Sequence, residues 1–216
     1  TMLAEGTRLQ VGPNGFVTVR LADGSIVKVS AQSDVQLRQL RRRGRAGSVQ
    51  SVVEIQRGSV ESSVAPSTDA SRRFEVRTPR AVTSVRGTRF GVALSESGDT
   101  TAAVLQGAVA VQSRTADNPA QHNAAATVLQ PGQGLAVQAD GTVGSPRSLL
   151  PAPDLTSLPA AVHDLGLLAL NVPAQAGASV YQAIVARDAE LTQVLRSGTF
   201  ANGQLRWKGL DDGQYF

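Results

Sequence analysis

The stretch from Phe74 to Val92, FEVRTPRAVTSVRGTRFGV, constrains the fold of this chain more than any other. β-Branched residues dominate it, and they fit the pleated, half-buried surface of a strand. Thr78-Pro79 and Arg86-Gly87-Thr88 punctuate it. Proline has no N–H for a ladder, and glycine tolerates backbone angles closed to other residues, so both mark corners. The expectation is two short strands joined by tight corners. With its two leading residues the stretch holds six arginines, Arg72, Arg73, Arg77, Arg80, Arg86 and Arg89, against one acid, Glu75.

The same grammar runs through the front of the chain. Phe16 to Leu21 and Ile26 to Val29 alternate around Asp23-Gly24, a strong hairpin signal because both turn residues tolerate positive φ. Leu9 to Val11 precedes a Gly12-Pro13-Asn14-Gly15 corner. Val35 and Leu37 mark another strand, and Arg41-Arg42-Arg43-Gly44-Arg45 reads as a basic turn after it. Further strands are expected at 49–56, 58–64, 100–105, 107–111, 127–129 and 135–138. Ile55-Gln56-Arg57-Gly58, Leu105-Gln106-Gly107 and Leu129-Gln130-Pro131-Gly132 echo one another without a fixed period. They imply strands stacked in successive layers, with glycine turning the backbone at each corner.

The organisation expected is three-part. Residues 1–144 form an all-β domain. Residues 145–164 are a linker in which Pro146, Pro151, Pro153 and Pro159 interrupt leucines, so it is extended and no central strand; its leucines are expected along a domain surface. Residues 165–216 carry short strands at sandwich-like spacing. The end, Leu210 to Phe216, looks like the corner before the sixth strand of an immunoglobulin-like or fibronectin type III-like domain, where a tyrosine bonds back to the backbone. The chain is expected to stop as that strand begins, and the native protein to be longer. The opening TMLAEGTRLQ likewise reads as a processed or trimmed start.

Composition narrows the function classes. The absence of cysteine excludes disulfides, thiolate metal sites and a cysteine nucleophile. No apolar run approaches the ~20 residues that span a bilayer. His122 and His163 lie far apart with no ligand or triad spacing, and Asp211-Asp212 has too few oxygens for calcium. No enzyme, cofactor or metal is expected. Residues 1–115 hold 16 Lys and Arg against 9 Asp and Glu, and the remainder 5 against 8. The basic front points to an acidic or anionic partner, with Arg41, Arg42, Arg43, Arg45, Arg72, Arg73, Arg77, Arg80 and Arg89 as the candidate partner-binding set. Aromatics do not interleave with these arginines, so base stacking and nucleic acid are not expected. Thr78, Pro79, Arg86, Gly87, Thr88 and Phe90 read as a structural motif: Gly87 takes the special conformation, Thr88 bonds the corner backbone, and Phe90 packs inside.

Those motif residues resemble the FecR domain, which has a Thr-Pro step, a valine strand and an Arg-Gly-Thr-x-Phe corner. The resemblance covers roughly residues 3–140, taking in Gly12 to Gly15 and Leu21 to Ser25 upstream and Leu105-Gln106-Gly107 and Pro131-Gly132-Gln133 downstream. It implies an extracytoplasmic, twisted β-solenoid-like domain of a bacterial envelope. The family's founding members are inner-membrane signal transducers with a cytoplasmic anti-sigma segment and one membrane span, neither of which is visible here. A FecR domain followed by immunoglobulin-like modules, often with an upstream LysM module, resembles this chain better. The resulting expectation is a non-enzymatic envelope scaffold or binding module, periplasmic or outer-membrane-associated, whose partner is an envelope protein or cell-wall component. The alternatives are a periplasmic signal-receiving regulator of the FecR anti-sigma type and a carbohydrate-active β-solenoid with clustered carboxylates.

Overall fold

A computed structural model describes residues 3–13, 15–43, 48–67, 72–85, 87–114, 125–159, 167–178, 180–189 and 193–216. Among these residues there are seventeen strands and no helix. The chain divides into two compact units, one of residues 1–12 and 16–149 and one of residues 13–15 and 150–216.

The front unit is a single hydrogen-bonded sheet of 13 strands, curled into two walls that meet along one long strand. The first wall runs β1 (Arg8–Gln10), β4 (Asp34–Arg43), β5 (Ser48–Ser63), β6 (Arg73–Arg77), β7 (Ala81–Val85), β10 (Val109–Ser113) and β11 (Thr127–Leu129). The second runs β2 (Val17–Arg20), β3 (Ile26–Val29), β5 again, β8 (Arg89–Leu94), β9 (Thr100–Gln106), β12 (Gln133–Val137) and β13 (Arg147–Ser148). The first part of β5 pairs with β4 and β6, and Gly58 to Ser63 pairs with β3 and β8. Every pairing is antiparallel except β5 with β6.

That parallel pair shows why β5 must bend. Gln50 lies beside Arg73, and a straight strand would carry Ser63 about 43 Å from Gln50. The ten residues from Ser63 to Arg73 reach at most about 36 Å. Gly58 supplies the bend at φ 83°. A Cβ there would overlap Ser33, whose hydroxyl accepts the Ser59 N–H at 3.0 Å.

Chain order alternates between the walls. After β1, the hairpin β2–β3 joins the second wall, β4 and the start of β5 the first, and the rest of β5 the second. Then β6–β7, β8–β9, β10–β11 and β12–β13 alternate in turn, each hairpin docking on the preceding strand of its own wall. The echoing glycines Gly58, Gly107 and Gly132 sit at three of these crossings. Their spacing is irregular because the strands between crossings differ in length.

Two expectations are corrected. Phe74 to Val92 spans three strands, β6, β7 and β8, and the corner at Gly87-Thr88 lies where the chain passes from one wall to the other. Arg41, Arg42 and Arg43 belong to β4, paired with Gln50, Val49 and Ser48, so β-ladder hydrogen bonds fix a segment expected as a loop.

The walls enclose one apolar core. Val53, Ile55, Phe74, Val76 and Val109 of the first wall join Val27, Val29, Phe90, Val92 and Val104 of the second, all essentially without solvent exposure. The Phe74 and Phe90 rings meet edge to face with centroids 6.2 Å apart, tying the two walls together at a favoured aromatic geometry.

In the back unit β14 (Leu167–Asn171) pairs with β17 (Gln204–Lys208), and β15 (Val180–Ala186) with β16 (Val194–Ala201). Val172, Tyr181 and Leu205 are buried between them, with Phe200 edge to face on Trp207 at 4.7 Å. The Tyr215 hydroxyl donates to the Asp211 carbonyl, and Phe216 exchanges backbone bonds with Ala186. Leu150 and Leu155, expected along a surface, are half-exposed.

Candidate functional site

The Thr-Pro step is built around one hydroxyl. Thr78 Oγ1 accepts the N–H of Ala81 at 2.9 Å and of Arg80 at 3.3 Å, and lies 2.7 Å from Thr100 Oγ1. Both threonines are fully buried. Thr78 directly follows β6 and Thr100 opens β9, so this bond bridges the walls. Pro79 is exposed in the turn, where its missing N–H costs nothing. At the second corner Gly87 has φ 59°, and a Cβ would stand 2.9 Å from Pro66 Cα. Phe90 is buried in the core. Thr88 departs from its expected role. Its backbone carbonyl accepts the Val64 N–H at 2.9 Å, but its hydroxyl is buried without a partner. The Thr88 methyl lies over Gly107, so this side chain packs rather than caps. Arg86 lies outside the described residues.

The arginines separate into groups. Arg72 turns inward, 2.6 Å from Asp23, with Arg72 and Asp23 side chains 16% and 4% exposed. It also donates to the Asp23 carbonyl and to Ser25 Oγ. Burial pushes the Asp23 carboxyl up, but the Ser25 N–H and then the Arg72 guanidinium outweigh it and hold the group below the ordinary carboxylate value. Arg72 is therefore a structural cation. Arg89 pairs with Glu61 at 2.8 Å on the second wall. Arg80 gives its carbonyl to the Arg114 N–H at 2.7 Å. Arg41, Arg42 and Arg43 have a described backbone only, and Arg45 lies outside the described residues.

The remaining arginines meet on the outer face of the first wall. Alternation along β6 sends Phe74 and Val76 inward and Arg73, Glu75 and Arg77 outward. Arg77 grips one Glu75 oxygen at 2.6 and 2.9 Å, while Arg73 stands 3.6 Å from the other. In register with Arg77, Glu54 meets Arg38 at 2.5 Å and Arg114 at 3.5 Å. Four guanidiniums thus share two carboxylates. Glu75 is only 4% exposed whereas Arg73 is 63% exposed. Each guanidinium carries five N–H donors, and Arg73 and Arg38 are the most exposed of the four, so the acids lie beneath them.

Arg38 and Arg114 were not singled out by sequence reading, and Glu54 and Glu61 only as acids dispersed along the sequence. Strand alternation could have put Glu75 between Arg73 and Arg77, but the cross-strand pairs need the register. Among the described residues no group of His, Asp and Glu is placed to hold a metal ion. Asp23, Asp34, Glu54, Glu61 and Glu75 each engage arginine. His122 and His163 lie outside the described residues. Among the described residues no helix is long and apolar enough to cross a membrane.

With this geometry in hand, comparison places the front unit. Residues 7–110 match the family described as FecR protein. Two crystal structures of a protein from Parabacteroides distasonis ATCC 8503, provisionally designated an anti-sigma factor, have a similar fold. At 1.65 Å resolution the TM-score is 0.52 with 23% identity over 66% of this chain, and at 2.50 Å it is 0.51 with the same identity and coverage. The match spans 60% of that protein's length. No curated protein matches the sequence.

Proposed function

We propose that this chain is the signal-receiving part of a FecR-type regulator on the outer side of a bacterial inner membrane, and that it works by binding a partner protein rather than by catalysis. The observation that carries the reading is the outer face of the first wall, where four arginines stand over two shielded glutamates within a FecR domain. Such a face offers charge-assisted hydrogen bonds to an acidic surface. The fold shared with a protein designated an anti-sigma factor supports regulation over the scaffold expected first. Layer-by-layer growth of the walls supports a solenoid-like description of the front unit. In the back unit the Tyr215 bond to the Asp211 carbonyl supports an immunoglobulin-like sandwich. That second β unit favours the scaffold as the competing reading.

Deleting the gene in its source bacterium and profiling transcripts, with and without a complementing copy, separates the two. A regulator changes a restricted set of genes, restored on complementation. Envelope fragility with no such set would overturn the proposal.

A further inference from the structure

The regulator reading does not say what the partner offers to the first wall, and the wall's own relief addresses that. An open depression of about 380 Å³ lies at the β6, β7, β10 and β11 end. Arg73 borders it on one side, with Arg72, already held by Asp23, beside it, and Val128, 53% exposed, on the other. Between them lie Ser84, Ala108 and Ala110. The trough exists because these small side chains stand between two large ones. Cross-strand register puts Glu75, Ser84, Ala110 and Val128 in one row. From β6 to β11 is three strand spacings, about 14 Å. Same-facing side chains of an extended peptide recur about every 6.7 Å, so residues i, i+2 and i+4 of a crossing segment span the trough.

The two ends make different demands. Glu75 is already gripped by Arg77 at 2.6 Å and lies 3.6 Å from Arg73, so Arg73 has donors to spare for an anion. Ala108, Ala110 and Val128 offer only apolar contact. We propose that this depression binds an acidic, extended segment of the partner protein, with one carboxylate on Arg73 and small apolar side chains at the next two same-facing positions. The proposal rests on the regulator reading. A phosphate-rich or sulfated polymer meets the arginine but has nothing for the alanines and valine, so the observations favour a peptide.

The test uses the whole chain and a fluorescein-labelled peptide that carries glutamate at one position and valine two and four residues further along, so that all three side chains face the same way when it is extended. One control replaces glutamate by lysine and another replaces valine by serine. Anisotropy is followed at low and high salt, and amide NMR shifts map the contact. The acidic peptide is expected to bind, to move the amides of Arg73, Ser84, Ala108, Ala110 and Val128, and to weaken with salt. The lysine control is expected not to bind. Arg73→Glu and Ala110→Glu, each with unchanged melting temperature, are expected to weaken binding about tenfold, the scale of one lost charge-assisted contact. No binding, shifts mapping elsewhere, an unaffected Arg73→Glu, equal binding of the serine control, or binding of heparin in preference to the peptide would each overturn the site. Full-length Arg73→Glu in the complementation assay keeps the two readings apart. If peptide binding fails while the transcript response persists, the site is wrong and the regulator stands; if no transcript response exists, the regulator fails whatever the peptide does.

Discussion

The two walls of the front unit are laid down by the same alternating hairpins and share one core, yet their outer faces differ. On the first, Arg38, Arg73, Arg77 and Arg114 crowd over Glu54 and Glu75. On the second, Glu61 pairs with Arg89 and lies across from Lys28, Arg20 and Arg147 stand exposed on β2 and β13, and β8, β9 and β12 turn out the small residues Gly91, Ala93, Thr101, Ala103 and Ala136. The inward residues are valines and phenylalanines on both, because both serve one core. Packing therefore fixes the inner faces alike and leaves the outer faces free to diverge. Both outer faces carry more cations than acids, so what sets the first wall apart is four guanidiniums crowded over two shielded carboxylates, and that crowding is the mark of a surface used for contact.

The shared core gives the largest expected effect. Phe74→Ala removes a fully buried ring that touches the other wall at Phe90, and should cost about 3–5 kcal/mol in urea denaturation. If the walls were independent, the variant would unfold in two steps. Next come substitutions at the seams. Gly87→Val forces a β-branched residue into φ 59° against Pro66 and should cost roughly 1–3 kcal/mol; an unchanged melting temperature would remove the corner from the account.

Asp23→Asn leaves Arg72 buried without its carboxylate and should cost about 1–3 kcal/mol at neutral pH. The folded-state pKa of Asp23 lies below its unfolded value of about 3.9. The stabilisation is thus fully present above that unfolded value and is lost as pH falls through the lower folded value. Wild type and variant should converge in melting temperature toward strongly acidic pH. A gap constant from neutral pH downward would show that the ion pair is not its source. Smallest is Arg89→Ala, an exposed pair on the second wall, expected to change stability by less than about 1 kcal/mol. A larger loss would mean that the second wall also depends on its surface charges.

How much of this was readable beforehand follows from what is local. Corners at Asp23-Gly24, Thr78-Pro79 and Gly87 are written in a few adjacent residues, and so are the strands around them. The assignment of strands to walls is not, because it depends on where a crossing replaces a hairpin. Nothing within β5 marks that the chain runs on as one strand through Gly58 while changing partners. The arginines show the same limit. Arg72 finds Asp23 across 49 positions of sequence, so its conversion from candidate binding residue to buried cation needed the register. Arg73 kept its candidacy because Glu75, two residues on, is gripped by Arg77 at 2.6 Å while Arg73, 63% exposed, stands 3.6 Å away. Thr88 was misjudged because a hydroxyl beside glycine reads as a cap, whereas its methyl is what the corner packs.

The claim that one wall, and not the other, is the contact surface is tested most directly by reversing one charge on each. Titrating the acidic peptide by calorimetry into Arg73→Glu and Arg89→Glu, both folded, should show about tenfold weaker binding for the first and less than about twofold for the second. Equal losses, or a larger loss for Arg89→Glu, would contradict the account.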